Sequence, residues 1–163
     1  MTENKPSIID KWVGQRFHLR EAIIEEALKK ESVGKFGYPM NRVKIRIELV
    51  NMVLHDVRLV KVFLRIYVNE APLRVIEWDE KEESYYPRAW DYGREISVYG
   101  GENYTLSELE DGFLDIFVNI PPYIDTDKTV YLRILGYLTL GFGIVQFDKT
   151  VKYDLKIEPE DWK

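Results

Sequence analysis

The 163-residue chain contains no cysteine and only two histidines, His18 and His55. The first absence excludes disulfides, thiolate nucleophiles, cysteine-bound zinc and iron–sulfur clusters. The second excludes metal centres built on several imidazoles. Glutamine occurs only at Gln15 and Gln146. No apolar run approaches the ~18–20 residues needed to span a bilayer. The opening MTENKPSIIDKW lacks the basic-then-apolar order of a secretion signal, so the expected compartment is the cytoplasm. Phosphate-binding glycine loops are missing, because Gly141-Phe142-Gly143 has no third glycine and no following helix; it reads as a turn or bulge. No Gly-x-Ser-x-Gly elbow is present for a serine hydrolase. The sole Asn-x-Thr sequon, at Asn103, means little without a secretion signal.

What is present is an ordinary globular composition, 45% apolar and 31% charged, with a net charge of −5. That total conceals a division. Residues 1–69 carry 13 basic and 8 acidic side chains, residues 70–111 carry 4 and 12, and residues 112–163 carry 6 and 8. The basic residues of the first part alternate with acidic or apolar ones, as in Lys44, Arg46 and Glu48, which suits the solvated face of a strand. A nucleic-acid interface is disfavoured on this count. Abundant Ile, Val, Tyr, Glu and Lys, with the missing cysteine, fit a heat-adapted protein.

Hydrophobic periodicity divides the chain in two. Residues 1–41 read as a loose arm followed by an amphipathic helix over 17–31, with Leu19, Ala22, Ile23 and Ala27 at three- and four-residue spacing. Glu25 and Glu26 precede Lys29 and Lys30 by four, an arrangement that favours ion pairs on a helix. The stripe Leu19, Ile23, Ala27 is then a docking face. From Arg42 the period changes to two, with Val43, Ile45, Ile47 and Leu49 opposed to Lys44, Arg46 and Glu48. Further strands are expected over 57–69, 73–78, 95–99, 114–120, 129–137, 142–147 and 150–157. Turn residues separate them and no helix does, so residues 42–163 are expected to form an antiparallel, immunoglobulin-like β-sandwich of seven to eight strands.

The stretch 78–104 stands apart. Seven of its 27 residues are aromatic, and it holds much of the negative charge. Such rings and carboxylates suit a protein-binding surface or, with rings stacking on sugar faces, a carbohydrate site; packing of the segment on itself is the structural alternative. The candidate contact residues are Trp78, Tyr85, Tyr86, Trp90 and Tyr92. Carboxylates are too numerous for any pair among Glu77, Asp79, Glu102 and Asp115 to single out a glycosidase, which leaves a carboxylate hydrolase as a third reading. Asp125 and Asp127 could supply two oxygen ligands to Ca²⁺, or simply close an Asp turn. No cofactor is implied.

Residues 43–73, VKIRIELVNMVLHDVRLVKVFLRIYVNEAPL, carry a family cadence: an alternating strand ends in Asn51, and a second ends in Ile66-Tyr67-Val68-Asn69. The stretch resembles the water-stress and hypersensitive-response domains of the LEA14-like proteins, and TVYLRILGYLTL with Gly136 is similar to that family's closing half. Met52 stands where the family has proline after the asparagine, and Glu70 where a turn glycine is common. The resemblance spans residues 42–157. It implies an immunoglobulin-like sandwich without catalytic residues, tied to stress tolerance or binding. Taken together, the sequence points to a non-enzymatic interaction or assembly module that binds a protein or a second copy of itself. Carbohydrate binding through the aromatic segment is the alternative.

Overall fold

A computed structural model of the chain describes residues 12, 14–33, 38–80, 96–99 and 105–163. They form nine antiparallel strands in two sheets: β1 (Phe17–Val33), β2 (Tyr38–Asn51), β3 (Val57–Val68), β4 (Ala71–Asp79), β5 (Ile96–Tyr99), β6 (Thr105–Leu106), β7 (Asp111–Ile120), β8 (Val130–Phe142) and β9 (Val145–Ile157). β6 is only two residues long. One sheet runs β1-β2-β7-β5; the other runs β4-β3-β8-β9, with β6 added beside β3.

The core lies between the sheets and follows the alternation. Val43, Ile45, Ile47 and Leu49 of β2 are fully buried, as are Leu114, Ile116, Val118 and Ile120 of β7. Burying each such side chain stabilises the fold by about 1.5–3 kcal/mol. β3 lies between β4 and β8, as its two-sided apolar content demands. That content has a local cause: a register shift between Leu59 and Lys61 switches the inward set from Val57 and Leu59 to Val62, Leu64, Ile66 and Val68. A Cβ at Gly136 of β8 would overlap the Phe63 carbonyl oxygen across the ladder, so glycine is required there. The stretch expected as a strand at 142–147 contains the end of β8 and a turn, and its residues from Val145 run on through 150–157 as one strand, β9. The chain reverses at Gly143-Ile144, with Gly143 in the left-handed region at φ +57°.

The expected N-terminal helix is corrected by the structure. Residues 17–33 are the longest strand of the fold, paired with β2 along their length. The cause is three β-bulges, between Leu19 and Ala22, Ile24 and Glu26, and Leu28 and Glu31. Each bulge adds one residue and advances the side-chain phase. The core-facing residues are therefore Phe17, Leu19, Ala22, Ile24 and Ala27, at spacings of two, three, two and three. Leu19, Ala22, Ile24 and Ala27 pair with Leu49, Ile47, Ile45 and Val43, which are spaced strictly by two. A bulged strand thus imitates helical spacing in one dimension. The proposed stripe is split: Leu19 and Ala27 face the core, whereas Ile23 is 48% exposed on the other side.

The outer strand β1 meets β9 along one side of the sandwich. Tyr153 Oη donates to the Arg20 carbonyl at 2.6 Å. Lys29 N donates to the Lys163 carbonyl at 3.1 Å, and Lys163 N to the Ala27 carbonyl at 2.9 Å. Bulges and these contacts occupy an edge that would otherwise offer open ladder groups.

Candidate functional site

Asn51 closes β2 and organises one end of the sandwich. Its side chain is fully buried. Nδ2 donates to the carbonyls of His55 at 3.0 Å, Leu106 at 3.2 Å and Ser107 at 3.0 Å, while Oδ1 accepts from Val53 N at 3.0 Å. Backbone bonds join the same loops: Met52 N to Arg16 O at 2.7 Å, Asn51 N to Glu110 O at 3.0 Å, and Leu109 N to Val53 O at 3.3 Å. Asp56 Oδ1 accepts from Glu108 N at 3.1 Å. The β8–β9 turn joins them through the His55 ring, edge-on to Phe142 at 4.6 Å, and through Arg58 Nη1 to Gly143 O at 3.4 Å. Three loops are thereby fixed at one end.

These loops expose large apolar side chains. Met52 is 51% exposed, Leu54 68%, Leu109 59%, and Ile144 entirely. Arg16, stacked over the Trp12 ring at 4.5 Å, accepts from Met52 N through its carbonyl. Single exposed apolar residues are unremarkable, but a group of them on mutually bonded loops makes this end the candidate site. Leu109 is also in the left-handed region, at φ +56°. A branched residue there costs about 1–2 kcal/mol relative to a right-handed conformation.

Charge is distributed unevenly around these tips. Asp56, Glu108, Glu110 and Asp111 are all exposed and interleave with Leu54 and Leu109. Among the described residues, the basic groups nearby are engaged. Arg16 lies on Trp12, Arg58 Nε is 3.4 Å from Glu80 Oε2, and Lys149 Nζ donates to Gly14 O at 2.9 Å. Burial holds the Lys149 ammonium below its ordinary 10.5.

Of the residues singled out in sequence, Trp78 lies on β4 opposite Val62 and packs half-buried against the core. Tyr85, Tyr86, Trp90 and Tyr92 lie outside the described residues. Asp125 and Asp127 sit at the opposite end, where Asp125 Oδ1 accepts from Asp127 N at 2.9 Å and closes an Asp turn. Among the described residues no three His, Asp or Glu side chains are grouped to hold a metal ion, and no helix is long and apolar enough to cross a membrane. Asp115, considered as a catalytic carboxylate, is fully buried. Arg46 grips both its oxygens, at 2.9 and 3.2 Å, and Lys44 stands 3.6 Å away. Buried charge needs such pairing, which ties Asp115 to the sheet.

The apolar tips escaped the sequence reading because residues 52–56 and 107–110 read as connections and Ile144 as part of a strand over 142–147. Their signal is the residue type itself: Met, Leu and Ile where turns usually hold Asn, Asp, Gly or Ser.

No protein-family model matches the chain, and no curated protein matches it. Among solved structures, it is similar to a protein from Archaeoglobus fulgidus known from its crystal structure, at 7% identity and a TM-score of 0.49, with 86% of this chain and 97% of that chain covered. A likeness at that level carries no argument about activity.

Proposed function

We propose that the chain is a non-enzymatic interaction module that binds a protein partner through the loop end of its sandwich. The carrying observation is that Met52, Leu54, Leu109 and Ile144 are exposed together on three loops held in place by Asn51 and its neighbours. Rigid presentation matters, because a pre-ordered surface loses little entropy on binding. Sandwich domains elsewhere use end loops as contact surfaces in the same manner. The resemblance of the Asn51 stretch to LEA14-like domains supports the same reading.

Photo-crosslinking in an extract of the source cells tests it. A benzophenone side chain at Ile144 is expected to form a discrete protein adduct that Leu54→Ser removes, and the same probe at Tyr123 is expected to form none. Equal adducts from both ends, or an adduct indifferent to Leu54→Ser, would count against the proposal. Saturable quenching of tryptophan fluorescence by a soluble polysaccharide would replace it with carbohydrate binding.

A further inference from the structure

We infer that the segment received by this loop end is cationic and amphipathic, carrying Lys or Arg beside large apolar side chains. The inference rests on the interaction reading above and adds the chemistry of the partner. The apolar tips do not stand in a neutral field. Glu108, Glu110 and Asp111 bracket Leu109 in sequence, and Asp56 lies two residues beyond Leu54 and is bonded to Glu108 N. All four acidic side chains are exposed. Of the basic groups at this end among the described residues, Arg58 is paired with Glu80, Lys149 is directed at the Gly14 carbonyl, and Arg16 is stacked on Trp12. Lys149 and Arg16 keep their charge in these contacts, but Asp56, Glu80, Glu108, Glu110 and Asp111 outnumber the three cations, so the described rim is net negative around an apolar centre.

Charge complementarity then selects among occupants. A second copy docking end to end would bring two such acidic rims together, and like charges in apposition oppose association. An anionic membrane surface attracts basic juxtamembrane groups and repels this rim, although apolar tips alone would suit insertion. A cationic amphipathic segment satisfies both features: its apolar side chains cover Met52, Leu54, Leu109 and Ile144, and its cations meet the four carboxylates. Opposite charge at the rim also accelerates encounter, in a manner that salt suppresses.

The test uses the full chain and two synthetic helical peptides, one of leucine and lysine and one of leucine and glutamate, observed by methyl NMR. The leucine–lysine peptide is expected to shift the methyl signals of Met52, Leu54, Leu109 and Ile144, and the glutamate peptide to leave them in place. Leu54→Ser combined with Ile144→Ser should weaken binding about tenfold, as for truncation of central interface side chains. Glu108→Gln combined with Glu110→Gln should weaken it and flatten its salt dependence. Equal binding of both peptides at the tips overturns the cationic assignment while leaving the interaction surface standing. A lysine peptide that binds only elsewhere on the acidic chain overturns it as well. So does sedimentation of the protein with vesicles of phosphatidylglycerol and phosphatidylcholine, which would make the occupant a lipid surface.

Discussion

The two ends of the sandwich meet the same backbone requirement in opposite ways. At the far end, the β3–β4 turn uses Asn69 and Glu70, both in the left-handed region at φ +48° and +69°. Asn69 exchanges hydrogen bonds with Tyr131 of β8, its N donating to the Tyr131 carbonyl at 2.8 Å and its Oδ1 accepting from Tyr131 N at 3.0 Å. Asp125 and Asp127 close their own turn nearby. Polar side chains complete that end, where Tyr123 and Tyr131 are the large aromatic side chains prominently exposed among the described residues. At the near end, a buried asparagine does the bonding from below, and the loop tips carry Met, Leu and Ile into solvent. Leu109 occupies a left-handed position as Asn69 does, but its side chain returns no hydrogen bond to the backbone. Folding accounts for the bonded turns of the far end. It accounts for the internal bonds of the near end, and the proposed contact would account for its apolar surface.

The comparison can be broken most forcefully at Asn51. Asn51→Ala removes one acceptor and a donor shared among three carbonyls, and is expected to cost about 3 kcal/mol, because buried groups left without partners carry their full desolvation penalty. Urea unfolding measures it, and the crosslink from position 144 should vanish in the same variant. Asn69→Ala attacks the opposite end. It should cost about 1–2 kcal/mol, from one lost hydrogen bond and a less tolerant left-handed residue, with the crosslink retained. A crosslink lost in both variants would mean that the ends are not independent. The smallest effect on folding is expected at the tips themselves. Leu54→Ser should move stability by no more than about 0.5 kcal/mol, as for exposed positions generally, while reducing adduct formation.

Legibility followed the same physical divide. Strands with unbroken alternation, such as Val43 to Leu49 and Val151 to Ile157, announce both their type and their buried face. β1 does not, since its bulges stretch a period of two into spacings of two and three, and Leu19 with Ala22, Ile23 and Ala27 then scans as a helix. Its sheet partner is what identifies it, through the pairing of Leu19, Ala22, Ile24 and Ala27 with four consecutive inward positions of β2. Likewise Asn51 reads in sequence only as the residue that ends a strand. Its four side-chain contacts come from segments as distant as Leu106 and Ser107. The apolar tips were the least legible feature, because a leucine is buried or exposed by tertiary placement rather than by type. Glu70 holds left-handed backbone at a turn without being the glycine such a position usually takes.

Leu109 and Glu70 allow the most direct test, since both hold left-handed backbone without glycine, one at each end. Leu109→Gly and Glu70→Gly should each raise stability by about 0.5–1 kcal/mol, the relief of strain less the added freedom of glycine in the unfolded chain. Unfolding midpoints and crosslink yield from position 144 are to be measured on both. The account predicts that both variants become more stable and that only Leu109→Gly loses the adduct. Undiminished crosslinking in Leu109→Gly would contradict it, because the strained leucine at the tip would then contribute nothing to the contact.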